Sequence, residues 1–85
     1  MKTFEHTIQD PQGLHARPAG QLAQTVGKLE STVNLIFGET EVSAKKVIGM
    51  MRLCLKQGAT VTFRVEGDTE EADAAYLAAF CRDNL

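Results

Sequence analysis

The sequence is short of the features that mark metal-binding, membrane-spanning and nucleic-acid-binding proteins. It contains only two cysteines, and Cys54 and Cys81 are too far apart to form a CxxC or similar metal-binding spacing. No apolar run is long enough to cross a bilayer. The formal net charge of −2 gives no reason to expect a nucleic-acid-binding protein. We therefore expect no metal, no other cofactor, no membrane insertion and no nucleic-acid partner.

The N-terminal residues also lack a secretion signal, because no apolar segment follows Lys2. We therefore expect a cytoplasmic protein in which both cysteines are reduced and partly buried. A length of 85 residues is enough for one modest hydrophobic core, and the sequence has no internal repeat or linker. Residues 1–85 are predicted to form a single domain, and we expect a monomer.

The pattern of apolar residues predicts four strands and three helices in the order βαββαβα. The predicted strands are Lys2–Ile8, Thr32–Phe37, Thr40–Val42 and Thr60–Glu66, and the predicted helices are Ala16–Lys28, Val47–Leu55 and a terminal helix after Gly67. Helices with a single apolar face and strands that alternate imply an α+β fold, with the helices covering one side of a sheet. Periodicity alone does not rank strand pairings, so a ferredoxin-like strand order fits equally well.

Several local patterns carry more detailed predictions. In the second helix, Met50, Leu53 and Cys54 are expected to share a core-facing side, and Gly58 is placed where it could end the helix. His6 lies on the same side of its strand as two apolar residues, which favours a structural position near the sheet margin over a ligand role.

The terminal helix has its own start signal. Asp68 and Glu71 are spaced like a capping box, with Asp68 in the cap position. The apolar face of this helix is predicted to comprise Ala74, Leu77, Ala78 and Cys81.

The stretch Gly13-Leu14-His15-Ala16-Arg17-Pro18-Ala19 carries the clearest indication of chemistry. It places His15 at or just before a helix N-terminus, where free N–H groups and the helix dipole favour an anion. The same field disfavours an imidazolium, so we expect His15 to be neutral and nucleophilic near neutral pH. The guanidinium of Arg17 can reach the same anion. These residues suit a transient phosphohistidine, although a histidine beside a helix start with a solvated arginine would also fit.

This stretch resembles the active-site signature of HPr, the histidine-containing phosphocarrier family of the sugar phosphotransferase system. A second segment, Lys46-Val47-Ile48-Gly49-Met50-Met51-Arg52-Leu53 followed by Gly58, resembles the second motif of that family with no gap from His15. The resemblance covers nearly the whole chain. It implies an open-faced β-sandwich with an antiparallel sheet in the order 1-4-2-3 and three helices on one face.

The resemblance also implies a function. His15 would accept a phosphoryl group on Nδ1 from enzyme I and pass it to the IIA component of a sugar permease. The backbone at Ala16 and Arg17 and the side chain of Arg17 would bind the phosphate. Such a protein is a covalent carrier within a transferase system, so whether it counts as an enzyme is a matter of convention.

The second helical segment has more apolar residues than one buried face needs. Val47, Ile48 and Met51 either remain partly exposed as an apolar patch or are all buried. In the resembled family this segment docks partner proteins, which favours a partner-binding surface formed by Val47, Ile48, Gly49 and Met51.

One position departs from the family pattern. Many members have a serine, phosphorylated by a kinase, where this chain has Lys46, so the resemblance implies no regulatory serine here. Lys45 and Lys46 are either ordinary solvated charges or groups that attract acidic partners.

Two alternatives to a phosphocarrier remain. The first is a non-catalytic regulatory module that docks a protein partner through Val47, Ile48 and Met51. The second is a plain structural domain, which would leave the combination of His15, Arg17 and Pro18 unexplained.

Overall fold

The computed structural model describes all 85 residues. The elements are β1 (Lys2–Thr7), α1 (Ala16–Gly27), β2 (Thr32–Phe37), β3 (Thr40–Ser43), α2 (Val47–Met51), β4 (Thr60–Glu66) and α3 (Glu70–Asn84). This confirms the predicted order βαββαβα. None of the three helices is long and apolar enough to cross a bilayer.

The four strands form one antiparallel sheet in the order β1-β4-β2-β3. β4 lies between β1 and β2, with Phe63 opposite Phe4 on one side and opposite Leu35 on the other. The strand order implied by the HPr resemblance is therefore confirmed, and the ferredoxin-like order is wrong.

The core lies between the helices and one face of the sheet. Alternate residues of β4, namely Val61, Phe63 and Val65, are completely buried, as predicted. α1 contributes Leu22 and Val26 to the same cluster, and each such side chain contributes about 1.5–3 kcal/mol when it leaves water. The opposite face of the sheet carries Thr3 and Glu5, which are exposed, and Thr62 and Arg64, which are half-buried.

The structure corrects the predicted extent of α2, which ends at Met51 and does not reach Leu55. The N–H groups of Leu53 and Cys54 bond to carbonyls only three residues back, which tightens the last turn, and Cys54 then adopts a left-handed φ of 54°. Met50 is buried as predicted, but Leu53 is only half-buried and Cys54 is exposed. Gly58 belongs to a later turn and does not end the helix.

The predicted capping box of α3 is also wrong. The N-cap residue is Thr69 rather than Asp68. The Thr69 hydroxyl donates to the carboxylate of Asp73 (2.8 Å), which also accepts from the hydroxyl (2.6 Å) and the backbone N–H (3.2 Å) of Ser31. A buried carboxylate therefore joins the start of α3 to the segment before β2. The predicted apolar face of α3 is present, with Leu77 and Cys81 fully buried.

His6 and Cys81 are buried, whereas Cys54 is exposed, so the expectation that both cysteines are partly buried is wrong for Cys54. His6 lies on the edge strand β1 and is buried, and its Nε2 has no hydrogen-bond partner. Burial lowers the pKa of His6, although a hydrogen bond to the backbone of Leu85 acts in the opposite direction. Both cysteines are free thiols, and burial raises the pKa of Cys81 to about 12.

Candidate functional site

The loop before α1 is shaped by hydrogen bonds that a single aspartate accepts. The Asp10 Oδ1 accepts the backbone N–H of Gln12 (2.9 Å), and the Asp10 carbonyl accepts the N–H of Gly13 (2.9 Å). Gly13 then adopts a φ of +73°, which a residue with a Cβ rarely adopts. This sharp turn directs the chain into α1 at His15.

The same loop is seated on the segment that follows α2. The Leu14 N–H donates to the carbonyl of Leu55 (2.9 Å), and the Leu14 side chain is buried. A Cβ on Gly13 would overlap the Leu55 carbonyl and lie 2.9 Å from the Cα of Lys56. The backbone here therefore approaches so closely that only glycine fits.

His15 is the N-cap residue of α1. Its backbone is extended, with φ −101° and ψ −174°, and its carbonyl accepts the Ala19 N–H (3.0 Å). Its side chain makes no capping hydrogen bond and is 35% exposed. The imidazole is therefore accessible from solvent and is not used to close the helix.

The first turn of α1 offers unpaired N–H groups beside this imidazole. Ala19 is the first residue of the helix whose N–H bonds to a carbonyl within the turn, and Pro18 has no N–H. The N–H groups of Ala16 and Arg17 therefore have no intrahelical partner, as at any helix N-terminus. An anion held next to His15 could accept both hydrogen bonds.

Arg17 adds an unpaired positive charge. Its side chain is exposed, and none of the five ion pairs in the structure includes it. Because the guanidinium is not held by an acidic neighbour, it is free to form a bidentate contact with a phosphate.

Asp10 is a site residue that the sequence pattern marks only as part of a turn. One carboxylate oxygen, Oδ2, lies 3.5 Å from Nε2 of His15. The sequence indicates Asp10 only through its position two residues before Gln12, in a turn that leads directly to His15. That spacing predicts the hydrogen bond from the Gln12 N–H to Oδ1 of Asp10. It does not predict the direction in which Oδ2 points.

The predicted partner-binding surface lies on α2, which packs against α1. Ile48 is 63% and Met51 is 37% exposed, whereas Val47 and Gly49 are half-buried. We call Val47, Ile48, Gly49 and Met51 the α2 patch. Of the two possibilities left open by the sequence, the exposed one holds for Ile48 and Met51.

Lys46 is the N-cap residue of α2 and is exposed. Its carbonyl accepts the N–H of Met50 (3.0 Å), and its own N–H donates to the carbonyl of Ser43 (3.1 Å). The Ser43 hydroxyl is itself engaged, because it accepts the N–H of Lys45 (3.2 Å). The cap position of α2 therefore presents an ammonium group and no hydroxyl.

Comparison with known proteins gives a consistent result. The family model for the "PTS HPr component phosphorylation site" matches residues 2–83. The phosphocarrier protein HPr of Lysinibacillus sphaericus is 41% identical over 78 residues, which cover 92% of this chain and 89% of that protein.

Two solved structures are similar over almost the whole chain. HPr from Thermoanaerobacter tengcongensis superposes with a TM-score of 0.91 at 34% identity, covering 99% of this chain and 94% of the other. Crh of Bacillus subtilis, described as a catabolite repression containing protein that forms a domain-swapped dimer, gives a TM-score of 0.77 at 29% identity, covering 100% and 98%. The chain therefore belongs to the HPr family of bacterial phosphocarrier proteins of the phosphotransferase system.

Proposed function

We propose that this chain carries a phosphoryl group on His15, which it accepts from enzyme I and passes to the IIA component of a sugar permease in the cytoplasm. The observation that carries this proposal is the position of the imidazole. It is accessible at the N-cap of α1, beside two unpaired N–H groups and the unpaired guanidinium of Arg17.

The chemistry requires a nucleophile and a moderate anion site. A ring nitrogen of His15 forms a bond to phosphorus while the bond from phosphorus to the donor imidazole breaks. The negative charge on the phosphoryl oxygens is then stabilised by the N–H groups of Ala16 and Arg17 and by the Arg17 guanidinium. Each contact of the phosphoryl group with the exposed helix N-terminus contributes roughly 0.3–1 kcal/mol, and a charge-assisted bond to the guanidinium contributes about 1.5–3 kcal/mol. This moderate total stabilises the phosphoryl group without preventing its release to the next protein.

The α2 patch is proposed as the surface that partners contact. It is apolar, exposed at Ile48 and Met51, and carried by a helix that packs against α1. Enzyme I and IIA would each bind over this patch and reach His15, supplying the remaining stabilisation of the transition state from their own residues.

The test is phosphorylation with purified enzyme I, Mg²⁺ and phosphoenolpyruvate, followed by intact mass measurement. We expect a gain of one phosphoryl group per chain that is stable in alkali and lost in acid, as a phosphoramidate is. A purified IIA protein should then remove it. The His15→Ala variant should gain nothing and should melt at nearly the wild-type temperature, because the side chain is partly exposed. Labelling of that variant would place the phosphoryl group elsewhere.

The second candidate is a regulatory module that binds a protein partner through the α2 patch without carrying phosphate. The similarity to Crh and the exposure of Ile48 and Met51 favour it. It predicts that the wild-type chain is not phosphorylated by enzyme I while a partner still binds. The retained His15 and the absence of a hydroxyl at Lys46 both favour the carrier.

A further inference from the structure

We propose that Asp10 is a positioning residue that keeps a proton on Nε2 of His15 and so leaves Nδ1 as the nucleophilic nitrogen. This inference rests on the proposed phosphocarrier function. It names the side chain that selects the reacting nitrogen.

The contact is specific to one ring nitrogen. The Asp10 Oδ2 lies 3.5 Å from Nε2 of His15, and Nδ1 is not engaged by the carboxylate. In neutral imidazole one nitrogen carries the proton and the other carries the lone pair. A carboxylate beside Nε2 accepts a hydrogen bond only from the tautomer in which Nε2 is protonated, and in that tautomer Nδ1 has the lone pair.

The carboxylate is itself held in place by the loop. The Asp10 Oδ1 is occupied by the N–H of Gln12 (2.9 Å), the Asp10 carbonyl by the N–H of Gly13 (2.9 Å), and the Asp10 N–H by the carbonyl of Leu85 (3.3 Å). Three bonds fix the residue, and only Oδ2 remains available. The orientation of Oδ2 toward His15 is therefore a property of the folded loop and not of a freely rotating side chain.

The two sides of the imidazole then have opposite surroundings. Nε2 meets a negative charge, whereas Nδ1 is the nitrogen nearer to the main chain, where the free N–H groups of Ala16 and Arg17 begin α1. A proton is favoured on the first side and an anionic phosphoryl group on the second. This division matches the needs of a transferable phosphohistidine.

The test is the tautomer ratio of His15, measured from imidazole ¹⁵N chemical shifts at a pH where the ring is neutral. In Asp10→Asn the amide oxygen can still accept the Gln12 N–H, but an NH₂ group then faces Nε2 and favours a lone pair there. We expect the share of the Nε2–H tautomer, relative to the other, to fall about two- to fivefold, the range expected for an exposed charged contact. Phosphoryl acceptance from enzyme I should slow in proportion to the lost fraction of the Nε2–H tautomer.

Two further variants make the result specific. Asp10→Ser can accept the Gln12 N–H but is too short to reach Nε2, so the tautomer ratio should move toward that of a histidine side chain in water. Asp83→Asn removes the same charge from the exposed end of α3, which lines one cavity together with Asp10, and should change neither the ratio nor the rate. Backbone amide spectra of all three variants verify the fold.

A tautomer ratio unchanged in both Asp10 variants would overturn the proposal. So would phosphorylation at Nε2 in the wild-type protein. Failure of the carrier function is a separate result, since it would appear as no phosphorylation of the wild-type chain while the ¹⁵N measurement still reports whether Asp10 sets the tautomer.

Discussion

Two aspartates near opposite ends of α1 differ in burial and in hydrogen bonding. Near the C-terminal end, Asp73 is buried and its Oδ2 accepts three hydrogen bonds from Ser31 and Thr69. Near the N-terminal end of this 12-residue helix, the Asp10 side chain is 30% exposed and its Oδ2 lies 3.5 Å from Nε2 of His15.

The difference separates groups that hold the fold from groups that remain free for a ligand. Around Asp73 the hydroxyls of Ser31 and Thr69 and the carboxylate Oδ2 are all hydrogen-bonded within the chain, so this end can be buried. Around His15 the imidazole, the guanidinium of Arg17 and the first N–H groups of α1 have no tight internal partner. A site that must hold phosphate briefly needs such unpaired groups, and a stable scaffold has to supply them.

The largest expected effect is that of Gly13→Ala, which would break the His15 end. The new Cβ would be forced into a positive φ and against the backbone of Leu55 and Lys56. We expect a loss of about 2–5 kcal/mol of unfolding free energy, the sum of the two strains, and slower phosphoryl acceptance. Urea unfolding and the enzyme I assay measure the two effects.

Gly20→Ala is the matched control for this change. Gly20 lies inside α1, and a Cβ there would meet no atom within 4 Å. Alanine is the better helix former by roughly 1 kcal/mol, so this variant should be slightly more stable and should transfer normally. Equal stability of the two variants would show that the Gly13 turn is not under the constraint described.

The next effect concerns Arg17, and it separates direct phosphate contact from surface charge. Arg17→Ala should slow phosphoryl acceptance about 10- to 100-fold, since charge-assisted hydrogen bonds contribute about 1.5–3 kcal/mol. The loss should persist at high salt because a direct contact is poorly screened. The measurement is the transfer rate from enzyme I at low and high ionic strength.

Lys46→Ala is the comparison for Arg17. Lys46 is exposed at the start of α2, so its charge should act mainly on the rate of association. That effect should fade at about 0.1 M salt, where charges are screened beyond about 10 Å. If the Arg17 variant recovers at high salt and the Lys46 variant does not, the two roles have been assigned the wrong way round.

A smaller effect is expected on the α2 patch. Met51→Glu places a charge in an apolar contact surface and should weaken binding of enzyme I by about tenfold, a loss of about 1.4 kcal/mol typical of an interface residue. The melting temperature should change little because Met51 is 37% exposed. Calorimetric titration measures the affinity.

The control for the patch is Tyr76→Glu. Tyr76 is an exposed apolar residue of α3, 52% accessible, and lies outside the patch, so its variant should bind normally. A large fall in melting temperature for Met51→Glu would show that Met51 belongs to the core, and the patch would have to be redefined.

The sequence predicted the elements whose period is long and regular. β4 and the apolar faces of α1 and α3 follow directly from burial on one side, and the HPr motif supplied the strand order that periodicity could not. The errors lie where local hydrogen bonds decide the outcome. α2 ends early because Leu53 and Cys54 close a tight turn. The N-cap of α3 is Thr69, whose hydroxyl donates to the same Asp73 carboxylate that accepts the Ser31 hydroxyl.

The sequence likewise predicted part of the site. His15 and Arg17 could be placed at a helix start because proline, glycine and the apolar period mark that start in one dimension. The proximity of Asp10 to Nε2 could not, since it depends on the direction of one carboxylate oxygen in a folded loop. The exposure of Ile48 and Met51 likewise required knowing which face of a five-residue helix packs on the rest of the chain.

The smallest expected effect tests the other aspartate. Asp73→Asn keeps an acceptor for Ser31 and Thr69 but removes the charge, so the melting temperature should fall by only a few degrees and transfer to His15 should be unchanged. Asp73→Ala, which leaves both hydroxyls without an acceptor, should fall further. Asp68→Asn is the control, because Asp68 is exposed one residue before the same helix cap and its charge should contribute little.

The pH dependence identifies the charge of Asp73 as the cause. Hydrogen bonds from the side chains of Ser31 and Thr69 lower the pKa of Asp73 below its ordinary value of 3.8. A carboxylate whose pKa is lowered on folding stabilises the protein at every pH above its unfolded value, and that contribution is lost as the pH falls toward the folded value. The difference in melting temperature between wild type and Asp73→Asn should therefore be constant from pH 7 to about pH 5 and shrink below about pH 4. If this difference in melting temperature stays the same at pH 3, Asp73 stabilises the protein through its shape and not through its charge. The contrast between Asp73 and Asp10 would then be one of packing.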